Sequence, residues 1–267
     1  MNRKVGFIGA GKMAQAMIAG ILKSGMVSRE NMIASAATDR TINDIREGYG
    51  IHVTTNNKEL ADFADILILA VKPNLQARII EEIRNNVDKG TIIVTIAAGI
   101  TLGEMEALFG FNVKALRTMP NTPSLVGEGM SAICANKYLG ENEIMEVEKL
   151  FQCFGKTERL DEWLMDAVPS ISGSSPAYVF MLIEAMADGG VREGIPRDKA
   201  YRLAAQAVLG AAKMVLETGV HPGALKDDVC TPGGATIEAV AVLEKEQFRG
   251  AIMAAMKSCT EKAGHLK

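Results

Sequence analysis

The sequence predicts an α/β protein with a doubly wound parallel sheet over residues 1–160 and an all-helical domain over 161–267. Three observations predict it. Short apolar runs alternate with amphipathic stretches through the first part, the pattern of a parallel sheet covered on both faces. Strand signals nearly vanish after about Asp161, and long helical stretches take over. The first strand also runs straight into a glycine turn, Gly9-x-Gly11-x-x-Ala14, that opens a helix.

The elements follow in order. Residues 5–8 form the first strand, and residues 12–24 its helix. A second strand is expected over 31–35 and a helix over 39–48, with Asp39 as its N-cap. The run Asp-Ile-Leu-Ile-Leu-Ala at 65–70 is a buried strand, and 74–86 a helix with Leu75, Ile79, Ile80 and Ile83 on one side. Strands at 91–96, 114–118 and 129–135 extend the sheet. A helix over 141–154 and a short segment over 156–160 complete the domain. Helices then follow over 176–192, 197–218, 235–245 and 247–265, punctuated by Pro196 and by Gly219-x-x-Pro222-Gly223. Two stretches, 177–187 and 203–212, are apolar almost all round. A helix with no polar face must be covered on every side, which so small a domain can scarcely do alone. A second subunit is the natural cover, and a dimer built through this half is expected.

Composition narrows the function. The net charge of -3, with no basic block, argues against nucleic acid as a partner. No apolar run is long enough to span a membrane, and residues 1–4 leave no room for a signal peptide before the first strand. Cys134, Cys153, Cys230 and Cys259 are widely spaced, as are His52, His221 and His265. Neither set suggests a metal site or a disulfide framework, and a cytoplasmic location is expected.

The N-terminal motif carries the first chemistry. A strand ending in a tight glycine turn and opening a helix aims backbone N–H groups and the positive helix end at one spot, where a pyrophosphate fits. Gly9 allows the turn, Gly11 lets the backbone approach the phosphates, and Ala14 permits close packing of helix and strand. This is the Rossmann-type arrangement; the bland alternative is an ordinary βα turn. In NAD-preferring sites an acid at the end of the second strand holds the ribose 2′-hydroxyl. Ser35 stands there instead, and Arg40 follows within reach of a 2′-phosphate, which favours NADP(H) while leaving NADH open. Arg40 as a solvated helix residue is the alternative. Ala70-Val71-Lys72-Pro73 ends a strand, where open α/β sheets bind ligands, and Lys72 faces either the cofactor or solvent. Met119-Pro120-Asn121-Thr122-Pro123 is a rigid loop after another strand, presenting Asn121 in one orientation. Thr231-Pro232-Gly233-Gly234-Ala235-Thr236 opens a second helix with an uncluttered backbone suited to a carboxylate. The hydroxyls of Thr231 and Thr236 either add hydrogen bonds to that anion or serve as plain helix caps.

Taken together, these motifs resemble the pyrroline-5-carboxylate reductases over nearly the whole length. The resemblance rests on Gly6-Phe-Ile-Gly-Ala-Gly-Lys-Met-Ala14, Ala70-Val-Lys-Pro73, Met119-Pro-Asn-Thr-Pro123, Gly173-Ser-Ser-Pro-Ala-Tyr178, Ala187-Asp-Gly-Gly-Val191 and, most of all, His221-Pro-Gly-x-Leu-Lys-Asp227 running into Thr231-Pro-Gly-Gly-Ala-Thr-Ile237. Ser175 stands where the family usually has glycine, and Thr231 where it often has serine. The resemblance implies hydride transfer from NADPH to the imine carbon of 1-pyrroline-5-carboxylate, giving L-proline. It puts Gly9, Gly11, Lys12, Met13, Ser35, Asn57, residues 70–73 and Asn121 on the dinucleotide, Asn57 at the adenine ribose. It puts Thr236 at the ring nitrogen, and Thr231 with the amides of Gly234, Ala235 and Thr236 on the carboxylate. A homodimer, or a decamer of five dimers, is implied as the assembly. With no acid–base histidine evident, orientation and electrostatics are expected to carry catalysis. Two rival functions remain: a β-hydroxyacid-type dehydrogenase, whose lysine is missing from 173–181, and a non-catalytic NADP-binding sensor.

Overall fold

The computed structural model describes residues 1–264, so His265 and the end of the expected last helix lie outside the described residues. The chain forms two compact units. One is Met1–Ser174 with the segment that begins at Cys259; the other is Ser175–Ser258.

The first unit is built on eight strands: β1 Val5–Ile8, β2 Met32–Ser35, β3 His52–Thr54, β4 Ile66–Leu69, β5 Ile92–Thr95, β6 Lys114–Met119, β7 Gly129–Ala135 and β8 Gly155–Arg159. Their order across the sheet is β3-β2-β1-β4-β5-β6-β7-β8. The helices are α1 Lys12–Ser24, α2 Asp39–Tyr49, α3 Asn57–Phe63, α4 Pro73–Ile83, α5 Leu102–Phe109 and α6 Glu141–Phe151. The apolar strand runs are explained by alternation. Val5, Phe7, Ile66, Ile68, Ile92 and Val94 enter one core, while Ile8, Leu67, Leu69 and Ile93 enter the other. Both sheet faces are therefore covered. Gly6 is needed because α3 lies directly on it: a Cβ there would meet Leu60 Cδ2 at 2.7 Å.

The structure differs from the sequence expectations at four points. The sheet is not wholly parallel, because β7 runs antiparallel to β6 and parallel to β8. The N-cap of α2 is Thr38, whose side chain accepts from the Thr41 N–H, and Asp39 is the first helical residue. The strand β3 and the helices α3 and α5 fall in stretches given no element from sequence. α5 carries a readable signal, the Thr101–Glu104 capping box. The stretch 161–174, assigned from sequence to the helical domain, packs with the first unit. Met165 and Val168 share a buried core with Leu102, Met105 and Val113. Arg117, only 4% exposed, reaches Asp166 at 2.5 Å.

The second unit contains α7 Ser175–Arg192, α8 Arg197–Thr218, α9 Pro222–Val229, α10 Ala235–Lys245 and most of α11 Phe248–Ala263. The punctuation at 219–223 precedes α9 rather than a longer loop, and its N-cap His221 accepts from the Gly223 N–H at 3.0 Å. α7 packs on α8, yet the only buried residues on these two helices are Ala187, Ala200 and Ala204. Phe180 is 61% exposed, Leu203 61% and Leu216 83%. No helix among the described residues is long and apolar enough to cross a membrane.

Candidate active site

In the first unit a cleft of about 560 Å³ opens at the carboxyl ends of β1 and β2, beside α4. It lies where the strand order reverses around β1, the position at which open α/β sheets bind ligands. Gly9 has φ +96°, and a Cβ there would sit 2.7 Å from the Ala70 carbonyl oxygen, so glycine is required. Its N–H donates to the Ser35 carbonyl at 3.1 Å, fixing the turn to β2. A Cβ on Gly11 would meet nothing within 4 Å: the space beside it is open cleft. Gly11 is the N-cap of α1 and gives that helix end no side-chain cap. This is a cradle for an anionic group, with Ala14 buried beneath it. The residues present therefore fit a dinucleotide pyrophosphate.

The sequence-predicted residues distribute as follows. Gly9, Gly11, Ser35, Asn57 and Val71 line the cleft. Ser35, 2% exposed, donates through Oγ to Asn57 Oδ1 at 2.7 Å. Ala70 continues the sheet through its N–H to the Ile8 carbonyl at 2.8 Å. Lys12 is exposed at the start of α1, and Met13 packs on the first core. Lys72 caps α4 and Pro73 is its first residue; neither lies on the cleft wall. Arg40 is exposed in the first turn of α2 and also lies off the wall. Asn121 has another occupation: Oδ1 accepts from the Met130 N–H at 2.8 Å, and Nδ2 donates to the Ser172 carbonyl at 2.9 Å. Among the wall residues not anticipated as such are Leu75, Arg78, Ile79 and Glu82, all on α4. Their spacing was the available signal. Ile80 and Ile83 are fully buried, whereas Leu75 and Ile79, grouped with them from sequence, turn toward the cleft.

The second unit holds the other predicted cluster. Gly233 has φ +69°, and Gly234 is the N-cap of α10 with no side-chain cap. The Gly234 N–H donates to the Thr231 carbonyl at 3.0 Å, and a Cβ on Gly234 would meet Thr231 Oγ1 at 2.4 Å. Thr231, Gly234, Ala235 and Thr236 thus meet around one uncapped helix end, Thr236 half-buried in its first turn. Neither threonine is the cap. Asp227 and Asp228 lie in α9, and Asp227 takes the Lys226 ammonium at 2.5 Å. That hydrogen bond raises the Lys226 pKa. No group of three His, Cys, Asp or Glu side chains that could hold a metal occurs among the described residues.

A switch-point cleft with a glycine cradle, followed by a helical unit, defines the class of nicotinamide-dinucleotide oxidoreductases. The comparisons agree. Residues 4–99 match the family described as NADP oxidoreductase, coenzyme F420-dependent, and 162–266 match pyrroline-5-carboxylate reductase dimerisation. The chain is 45% identical over 266 residues to the pyrroline-5-carboxylate reductase of Escherichia coli strain K12, covering 100% of this chain and 99% of that one. It is 41% identical to the Arabidopsis thaliana enzyme of the same name, over 98% of this chain and 95% of the other. The crystal structure of Plasmodium falciparum pyrroline carboxylate reductase with NADP bound superposes with a TM-score of 0.89 at 31% identity, covering 99% and 98% of the two chains. The chain belongs to the pyrroline-5-carboxylate reductase family.

Proposed function

We propose that this protein reduces 1-pyrroline-5-carboxylate to L-proline, the final step of proline biosynthesis, with NADPH preferred over NADH. The observation that carries the reading is the full-length identity to reductases of that name, supported by the glycine cradle at Gly9 and Gly11. When bound, the dinucleotide supplies hydride from its nicotinamide C4 to the imine carbon. The chain's own residues bind and orient. Gly9, Gly11 and the N-terminal amides of α1, those of Lys12 and Met13, take the pyrophosphate. Ser35 and Asn57 stand at the adenine-ribose end, with Ala70–Pro73 along the rim. In the second unit the uncapped N-terminus of α10 takes the substrate carboxylate, with Thr231 and the amides of Ala235 and Thr236 as donors; the Gly234 N–H, expected to join them, is already given to the Thr231 carbonyl, and Gly234 serves by leaving the helix end open. The Thr236 hydroxyl bonds the ring nitrogen and helps hold its proton as the imine becomes an amine. This reading gives no acid–base role to a histidine: the His52 ring lies 6.2 Å from that of Phe63, centroid to centroid, and His221 Nδ1 accepts from the Gly223 N–H at the start of α9.

The dimerisation match supports a homo-oligomer. We assign the dimer interface to the apolar faces of α7 and α8, with a decamer of five dimers as its further assembly. Sedimentation at nanomolar concentration should find no folded, active monomer. The four free cysteines suit the cytoplasm. The deciding experiment follows NADPH absorbance with and without 1-pyrroline-5-carboxylate. Substrate-dependent oxidation with proline as product is expected. Tight NADPH binding without turnover would favour a sensor, and turnover of 3-hydroxyacids in place of the imine would favour the dehydrogenase.

A further inference from the structure

The cleft wall has an asymmetry that the glycine motif does not explain. Among the residues that line it, Arg78 is the only cation and Glu82 the only anion. Both stand on α4, four residues apart, the spacing at which such side chains ordinarily pair. Here they do not. Both Glu82 carboxylate oxygens accept from Asn57 Nδ2 at 3.3 Å, and Asn57 is itself held by the Ser35 hydroxyl. Arg78 is left with no ion pair among the described residues, exposed along the same wall. The end of β2 contributes only neutral groups: Ser35, and the Thr38 and Thr41 hydroxyls, bonded to each other at 3.0 Å. Arg40 is off the wall.

We infer that α4, not the end of β2, sets the choice between dinucleotides: Arg78 is the cation that takes the adenosine 2′-phosphate, and Glu82 opposes it. This rests on the cleft being the dinucleotide site. An unpaired guanidinium is suited to a phosphate, offering two parallel N–H donors and a fixed charge. A carboxylate on the same wall repels the phosphate dianion and accepts from a free 2′-hydroxyl. Asn57 holds Glu82 apart from Arg78. The chain Ser35–Asn57–Glu82 thereby does two things at once: it keeps the guanidinium available, and it keeps an acid near the ribose that the tip of β2 lacks. Preference for the phosphorylated ribose is then moderate, and adjustable from one helix.

The test is isothermal titration of the full-length protein with 2′,5′-ADP and with 5′-AMP, which isolates the adenosine end from turnover. The unmodified protein should bind both, 2′,5′-ADP more tightly. Arg78→Gln should weaken 2′,5′-ADP by about 10- to 100-fold, the range for a lost charged hydrogen bond, and 5′-AMP by less than about 2-fold. Retained 5′-AMP binding also reports that the variant is folded. Glu82→Gln should tighten 2′,5′-ADP a few-fold. Equal losses on both nucleotides in Arg78→Gln, or no loss, would overturn the inference while leaving the dinucleotide site standing. The selective loss appearing in Arg40→Gln instead, or weaker 2′,5′-ADP binding in Glu82→Gln, would overturn it as well. If the unmodified protein binds neither nucleotide, the dinucleotide site itself fails and the inference with it.

Discussion

Asn121 Nδ2 donates a hydrogen bond to the Ser172 carbonyl at 2.9 Å, joining the loop after β6 to the π-helical turn Pro169–Gly173. The same side chain accepts from the Met130 N–H at 2.8 Å. One amide, 8% exposed, thus ties three segments of the first unit. Its bonds are to protein backbone, which gives it a structural role that the loop motif did not suggest. Asn121→Ala should destabilise the protein by about 1–3 kcal/mol for each backbone group left without a partner. Urea unfolding would measure this, and NADPH titration would separate the roles. Unchanged stability with lost NADPH affinity would return Asn121 to the cofactor.

Arg117 brings a different asymmetry. Its side chain is 4% exposed, while its partners Asp166 and Glu162 are 65% and 37% exposed. Removing the arginine leaves carboxylates that water can solvate. Removing Asp166 leaves a buried cation with only Glu162, 3.9 Å away. Asp166→Ala should therefore cost more than Arg117→Met: toward the lower end of about 3–5 kcal/mol against about 1–3 kcal/mol. Denaturant midpoints of the two variants would check the order. The reverse order would mean that the Arg117 guanidinium is satisfied without Asp166, and that Asp166 is not what compensates its burial.

Cys134 lies buried on β7, and its thiol pKa is pushed up to about 11, first by burial and then by the Glu162 carboxylate. An unfolded thiol ionises near about pH 8.5. Between these values the folded chain holds a proton that the unfolded chain has lost, so stability falls as pH rises. Below that window the contribution is constant. The difference in stability between the unmodified protein and Cys134→Ala should shrink from about pH 8.5 to pH 11, by at most about 1.4 kcal/mol per pH unit. Parallel stability curves for the two proteins over that range would refute the assignment.

Much of the first unit could be read in the chain because its signals are local. The alternation that sends Ile66 and Ile68 to one core and Leu67 and Leu69 to the other is written in consecutive residues. The turn at Gly9 is dictated by a φ that only glycine adopts freely. What escaped depends on distant partners. The antiparallel entry of β7 leaves no mark on its own composition. Arg117 reads as a lone charge in an apolar strand until Asp166, 49 residues later, is placed beside it. Asn57 and Glu82 are 25 residues apart, and only the packing of α3 and α4 makes them neighbours. The helix α3 was hidden for a related reason. Its cap, Asn56, accepts from the Lys58 and Glu59 N–H groups, and the surrounding Thr-Asn-Asn-Lys reads equally well as a binding loop. The α10 entrance was legible as a glycine-rich helix start, but not that Gly234, rather than a threonine, is its cap.

That last detail sharpens the expectation for Thr236. Because Gly234 caps α10 through its backbone alone, the Thr236 hydroxyl is not needed to start the helix. Thr236→Ala should leave thermal stability within about 0.5 kcal/mol of the unmodified protein, as for a substitution away from caps and core. Its effect should fall on the reaction. A hydroxyl that bonds the ring nitrogen interacts more strongly as the imine becomes an amine, and such an interaction acts on kcat as well as on KM. One lost neutral hydrogen bond is worth about 0.5–1.5 kcal/mol, so kcat/KM should drop by at least about 2- to 13-fold. Thr236→Ser keeps the hydroxyl and should recover most of the loss. NADPH affinity should not move, since the residues assigned to the dinucleotide belong to the other unit. Steady-state kinetics with NADPH and 1-pyrroline-5-carboxylate, beside a fluorescence titration of NADPH, provide both readouts. Full kcat/KM in Thr236→Ala, or a loss confined to NADPH binding, would show that the ring nitrogen is held elsewhere.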